Sequence, residues 1–399
     1  MAVDDQPLPR RAERTWVSTF YNPAVRGIVF QLALAIFIVT LFWWLTQNTI
    51  TNLQRANIAS GFGFLQNRSG FEVLFSLIPY SSDSSYGRAF IVGLLNTLYV
   101  ASLGIVFATI LGFVVGIARL SPNWLVRKLA TVYVEFFRNI PLLLQLLFWY
   151  KAVLSVLPGP RDSLSFFEFG FLSNRGLIVT RPYVEPGAGP VFLAALAGIA
   201  ICVFLTRWAV RRRKETGQTF PVLRYGALAL IAPPVIVGLL MGSRFGIDVP
   251  ELTGFNFTGG VTITPEFLAL ILGLVIYTAS FIAEIVRAGI LAVSHGQTEA
   301  ASSLGLNPGM TLRLVVIPQA LRVIIPPLTN QYLNLTKNSS LAVAIGYPDL
   351  VSVFAGTVLN QTGQAVEAIM MTMAVYLTLS LLTSAFMNWF NARIALLER

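Results

Sequence analysis

One histidine, His295, and one cysteine, Cys202, are all that this chain of 399 residues offers for imidazole or thiol chemistry. No cysteine or carboxylate cluster stands near His295 at ligand spacing, so no zinc or iron site is expected. The lone cysteine excludes an internal disulfide. A Ser/His/Asp hydrolase would need its histidine beside the reacting serine, whereas His295 sits in a polar segment between two apolar runs. The sequence holds no GxxxxGK[ST] phosphate loop and no Gly-Lys pair at all. No catalytic residue, cofactor or metal is therefore expected, and any ATP that drives the protein must be bound by another chain.

What remains is charge and polarity set among apolar residues. Lys337 lies in LTKNSSLA, where Asn338 and Ser339 could hydrogen-bond a zwitterion or neighbouring backbone. A charge at the centre of a membrane helix costs about 2.5 to 3.5 kcal/mol, so it faces protein or water, or it snorkels to the interface. Asn96 and Thr97 make a second polar patch in an apolar run. These five residues are candidates for a translocation path, with helix packing as the competing role for Asn96 and Thr97. Two charge pairs at i,i+3 spacing, Glu135 with Arg138 and Glu284 with Arg287, are expected to be structural ion pairs.

The elements that must position these groups are membrane helices. Hydrophobic residues make up 55% of the chain, charged residues only 12%, and the mean hydropathy is +0.70, more apolar surface than a soluble domain can hide. A span takes about 20 residues. Eight candidates are present: Gly27–Thr46, Phe90–Ala118, Thr131–Leu157, Val191–Trp208, Leu223–Met241, Pro265–Ile290, Leu321–Ile345 and Ala365–Phe390. The fifth carries Pro233 and Pro234, which are expected to kink it. The first 26 residues are polar and the first apolar run is full length, so no cleavable leader is expected.

Orientation follows from Lys and Arg, which accumulate on the cytosolic side. With both termini inside, the cytosolic side takes 19 of the 28, including Arg10, Arg11, Arg14, the run Arg211–Lys214 and Arg399, while 8 face out and Lys337 lies within the membrane. Eight crossings also put both ends on one side, so helix count and charge bias agree. The net charge of +10 then reads as topology and as a fit to anionic lipid headgroups, rather than as nucleic-acid binding.

On the cytosolic side falls EAASSLGLNPGMTLRLVVIP, Glu299 to Pro318. Glu299, Ala300 and Ala301 favour helix, Gly305 permits a turn, GLNPG breaks the helix, and Pro318 bends the chain into the next span. A helix-turn-helix protrusion with a carboxylate at one end suits insertion into a partner's groove. This interval resembles the EAA loop of ABC importer permeases: Glu299, Ala300, Ala301, Gly305 and Pro318 match, and Val315 and Ile317 stand where the pattern has Ile and Leu. The stretches GLLNTLYVASLGIVFATILGFVVGIARLS, YVEFFRNIPLLLQLLFWY and IPQALRVIIPPLTNQYLNLTKNSSLAVAIGYPDL look like the polar amino-acid permeases of the His/Glu/Gln/Arg/opine type.

The resemblance covers Arg88 to Tyr150 and Pro265 to Arg393 and implies an all-α integral membrane protein of about eight helices, with a type I importer (MetI-like) core of five. The organisation it implies is an N-terminal segment with the first span and an external loop (1–87), a first core part (88–157), an insertion with two extra spans (158–264), and a second core part (265–399) with the coupling loop at 295–318. That enlarged layout is similar to the permeases of general L-amino acid importers. The resemblance further implies a non-catalytic transmembrane subunit in a bacterial inner membrane. Its implied partners are a cytosolic ATPase dimer, a second permease subunit, an external or periplasmic amino-acid-binding protein, and lipid. An ion-gradient-driven secondary transporter is the rival reading; it would need repeated halves with broken helices, and no repeat is visible. A membrane enzyme would need ionisable residues clustered in its spans, and these are lacking.

Overall fold

The computed structural model describes residues 23–55, 60–166, 169–185, 188–242 and 244–394. Arg10, Arg11, Arg14 and Arg399, assigned to the cytosolic side from sequence, lie outside them. Among the described residues, seven helices are long and apolar enough to cross a membrane, and an eighth crossing results if one bent pair counts as a single span.

The centre of the molecule is the pair α2 (Tyr86–Ala118) and α7 (Pro265–Leu291). Both helices are predominantly apolar, and α2 carries small residues at helical spacing: Ala101, Gly104, Ala108, Gly112 and Gly116, all buried. Such a stripe lets backbones approach closely, the main source of attraction between helices in a membrane. A Cβ on Gly112 would run into Ile282, and one on Gly116 would lie 2.8 Å from both the Ala283 carbonyl oxygen and the Val286 side chain. Gly112 thus meets α7 before Gly116 does, in the same chain sense, so the two helices run parallel and end at the same side.

The expected third span is two helices. α3 (Trp124–Asn139) and α4 (Leu142–Leu147, continued by a π-helical turn Phe148–Leu154) meet at 105°. Pro141 has no N–H to continue the ladder and forces Ile140 into extended backbone, φ −101° and ψ 125°. The freed carbonyls of Phe137 and Ile140 are taken by the buried Gln145 amide, at 3.0 and 2.9 Å. The two prolines of the fifth span leave α6 (Val222–Leu240) one unbroken helix.

After α7 come two short helices, α8 (His295–Ser303) and α9 (Pro308–Thr311). α10 (Ile317–Asn338) then packs back against α7 and α2, and α11 (Ala365–Ile394) packs against α10. The segment between α10 and α11 folds onto the start of α2, where Leu350, Phe354 and Val358 are buried with Ala368. Phe64, from the segment after α1 (Pro23–Arg55), completes that cluster, and the Gly61 N–H donates to the buried Glu367 carboxylate at 2.6 Å.

Between α4 and α7 the chain makes the hairpin α5 (Ala188–Thr216) and α6, whose sides are almost entirely exposed. Here the all-α bundle carries a small set of strands as well. β1 (Leu164–Phe166), β2 (Gly170–Ser173), β3 (Gly176–Val179) and β8 (Val261–Ile263) form an antiparallel sheet. β4 (Arg181–Glu185) pairs with β5 (Arg244–Asp248), and β6 (Glu251–Thr253) with β7 (Asn256–Thr258). The cause is the hairpin itself: it brings the strands entering α5 and leaving α6 side by side, and their backbone groups pair. Because β3 and β8 adjoin, the segments that lead into α5 and α7 set out from the same sheet.

Candidate functional site

The loop from Ser294 to Pro318 is built to project. α8 ends in a Schellman turn: Gly305 has φ +77°, its N–H bonds to the Ser302 carbonyl at 2.9 Å, and the Leu306 N–H reaches the Ala301 carbonyl at 3.1 Å. Asn307 then caps α9, its side-chain oxygen accepting from the Met310 N–H at 2.8 Å, and Pro308 fills the first helical position. A single π-helical turn, Leu312–Val316, leads into α10 just before Pro318. One face of this element is anchored by buried Ala301, Thr311 and Val316, and Gln319 bonds across to Gln297 at 3.1 Å.

The other face is open. Glu299 projects with its side chain 71% exposed, held among the described residues by a 3.0 Å contact to His295 Nδ1. Ala300 and Gly305 are exposed beside it, and Leu304 (82%), Met310 and Leu314 present bare apolar surface. Exposed apolar side chains on the same loop as an exposed carboxylate are the kind of surface that marks interaction sites on proteins.

Below the loop, Glu284 and Arg287 pair at 2.7 Å as their spacing predicts, and Glu284 also bonds Arg119 at the end of α2. Arg119 was not singled out from sequence, because a lone arginine after an apolar run reads as an orientation signal. Glu135 and Arg138, by contrast, form no ion pair. The Arg138 guanidinium lies over the Phe281 ring of α7 at 5.0 Å, and Glu135 is exposed. The helix ends one residue after Arg138, and its side chain turns to the facing aromatic ring instead.

The five candidates for a path separate into two kinds. Asn96, Thr97 and Ser339 are fully buried, with hydrogen bonds to protein backbone. Asn96 Nδ2 donates to the carbonyls of Phe75 and Pro348 at 2.8 and 2.9 Å, Thr97 accepts from the Leu350 N–H at 3.0 Å, and Ser339 donates to the Thr336 carbonyl at 2.8 Å. The bonds to Pro348 and Leu350 fasten the segment after α10 onto α2, the bond to Phe75 ties down the segment before it, and the Ser339 bond is local to the end of α10. Asn338 is half-buried, and Lys337 alone is open. It borders a cleft of about 480 Å³ between α10 and α11, together with Ser340, Thr372, Tyr376 and Ser380.

Lys337 also belongs to a stripe that sequence reading missed. Pro327, Asn330, Asn334 and Lys337 recur at helical spacing on α10, and all are exposed. The signal was present as an i, i+3, i+7, i+10 recurrence, hidden by the two prolines. Behind the stripe, Asp349 is 1% exposed and accepts from the Ser352 N–H at 2.9 Å and from Tyr376 Oη at 3.2 Å.

Spanning helices, a projecting loop with an exposed carboxylate and one open polar stripe are what a membrane permease presents. Residues 104–396 match the family described as binding-protein-dependent transport system inner membrane component, and the chain belongs to that family. It is 53% identical over 398 residues to the general L-amino acid transport system permease protein AapQ of Rhizobium johnstonii, covering 100% of this chain and 99% of that one. It is 55% identical over 381 residues to the putative amino-acid ABC transporter permease protein YhdX of Escherichia coli, covering 96% and 97%. Among solved structures, a crystal structure of an amino acid ABC transporter with histidines overlays with a TM-score of 0.46 at 22% identity, covering 77% of this chain and 95% of that one.

Proposed function

We propose that this chain is the permease subunit of an ABC importer of polar L-amino acids in a bacterial inner membrane, driven through its Ser294–Pro318 loop by a separate ATPase. The observation that carries the reading is the exposed face of that loop, Glu299 with Leu304 and Leu314, on a rigidly capped helix-turn-helix. Its end of the molecule also carries Arg119, with Arg127 and Lys128 a few residues on, and in this reading the basic run Arg211–Lys214 faces the same side, the bias expected of a cytosolic side.

In this reading, ATP closes the partner dimer and moves Glu299, Ala300, Ala301 and Gly305 as one body. The Arg119–Glu284–Arg287 cluster and Pro318 carry that displacement into α2, α7 and α10. A transporter of this kind switches between two states of a central path, each ligand biasing one of them. The exposed Pro327–Asn330–Asn334–Lys337 stripe lines that path opposite a second permease subunit, because a lysine and two asparagines are costly against lipid. Lys337 binds the substrate carboxylate, with Asn338 beside it, and an external binding protein delivers the amino acid. The names of the two relatives support amino acids as the substrate class.

The test is to purify the chain with its candidate ATPase, with and without Glu299→Lys and Gly305→Asp, and to follow amino-acid-stimulated ATP hydrolysis in liposomes containing the binding protein. Association of the wild type, with stimulation lost in both variants that still insert, supports the reading. Wild-type chain that ignores the ATPase removes it.

A further inference from the structure

The α5–α6 hairpin stands apart from the rest of the bundle, and its turn carries an unusual concentration of cations. Between residues 207 and 224 lie five arginines and a lysine against one carboxylate, Glu215. Arg211 engages Glu215 at 2.9 Å, and Arg212 lies over the Trp208 ring at 5.1 Å while bonding Gln218 at 2.9 Å. Arg207, Arg213 and Arg224 are exposed and, among the described residues, have no acidic partner.

Aromatic rings hold this cluster in shape. Trp208 meets Phe220 edge to face with centroids 5.3 Å apart, and Phe220 stacks on Tyr225 at 4.9 Å. Above them both helices show continuous bare apolar surface, with Phe192, Leu196 and Phe204 on one and Leu228, Ile231 and Leu239 on the other. Tryptophan and tyrosine at the end of an apolar helix mark the headgroup layer. At 29 residues, α5 is roughly 43 Å long, about 13 Å more than a hydrocarbon core needs, so its basic last turns stand among the phosphates.

We propose that the α5–α6 turn binds anionic phospholipid headgroups, its unpaired arginines gripping lipid phosphate while the apolar sides of the hairpin hold the acyl chains. The continuity of the cationic tip with lipid-facing helix surface commits the site to lipid rather than to a free anion or a soluble partner. Guanidinium groups suit this ligand because their planar donors meet phosphate oxygens in pairs. This site is independent of the transport reading and of the coupling loop.

The experiment compares the full chain with its R207Q/R213Q/R224Q variant, purified in mild detergent. Native mass spectrometry then reads retention of phosphatidylglycerol against phosphatidylcholine. Three surface charges, at about 1 kcal/mol each near a headgroup layer, correspond to roughly a hundredfold in affinity. The expected result is preferential retention of phosphatidylglycerol by the wild type, lost by about that factor in a variant that stays monodisperse and helical. Millimolar inorganic phosphate leaves wild-type retention unchanged. Equal retention of the two lipids by the wild type, or unaltered retention by the variant, overturns the proposal. Displacement of the lipid by free phosphate overturns it in favour of a simple anion site. A variant that keeps phosphatidylglycerol but no longer co-purifies with the ATPase overturns it in favour of a protein contact.

Discussion

The carboxylate of Glu284 is shared between Arg119, which closes α2, and Arg287, one turn along α7. Two parallel central helices are thereby tied together at the end where α7 passes into α8, so a force on the loop reaches α2 through a charge contact as well as through packing.

Replacing Glu284 by Gln leaves two cations facing each other without their common acceptor. With the side chains of Arg119 and Glu284 only 11% and 28% exposed, the loss is expected near 2 kcal/mol, within the range for a charged hydrogen bond. A double-mutant cycle of Glu284→Gln with Arg119→Gln, read by thermal unfolding in detergent, checks it. Strongly non-additive losses establish the tie, whereas additive losses mean the two residues act separately.

Gly116→Ala is expected to destabilise far more than Gly104→Ala. A methyl at Gly116 meets the backbone oxygen of Ala283 and the branched Val286, neither of which can yield, whereas at Gly104 it meets the flexible end of Leu335 at 3.1 Å. Overpacking of the first kind costs about 1 to 3 kcal/mol. Thermal midpoints of the two variants in one detergent decide the order, and equal midpoints contradict the close-approach account of α2 and α7.

The spans, their number and the projecting loop were legible because each rests on a local rule: apolar length, the charge of the flanks, or the conformational freedom of Gly305. The 105° break at Pro141 was written in the sequence too, yet a window of hydropathy averages across it, and the apolar α4 hid the polar face of α3. Three features were not legible. The strands between residues 164 and 263 depend on the hairpin bringing distant segments together, and β3 meets β8 across more than eighty residues of intervening chain. The third member of the Glu284 cluster is equally distant in sequence. For Asn96 and Thr97 the sequence offers helix packing beside a path role, and only tertiary structure reveals which backbone carbonyls and that the Leu350 N–H occupy them.

Gly305→Ala places a side chain at φ +77°, where an L-residue costs about 1 to 2 kcal/mol. No neighbouring atom lies within 4 Å of the new methyl, so the strain is purely local and the spans are untouched. The expected outcome is unchanged membrane insertion, a thermal midpoint lowered by no more than a few degrees, and roughly tenfold weaker binding to the ATPase, measured by titration in detergent. Wild-type affinity in this variant contradicts a requirement for the Schellman turn in docking.

Lys337, proposed above for the path, and Asn96, held by backbone groups, offer the sharpest contrast for a test. Lys337 is exposed on an open cleft and, among the described residues, has no acidic partner, so Lys337→Met removes no bond that the fold needs. Its expected effect is a rise of about tenfold in the half-saturating amino-acid concentration for transport, matching the loss of roughly 1.4 kcal/mol of carboxylate binding, with the thermal midpoint unmoved. Lys337→Arg keeps the charge and recovers part of that affinity. Asn96→Ala, by contrast, takes the donor from the half-buried carbonyls of Phe75 and Pro348, at up to about 1 to 3 kcal/mol for each group that water does not reach. It lowers the thermal midpoint and the yield of folded protein while leaving half-saturation unchanged in the fraction that folds. If Lys337→Met instead destabilises the chain without altering half-saturation, the lysine is a structural contact, and the stripe on α10 belongs to subunit packing rather than to the substrate.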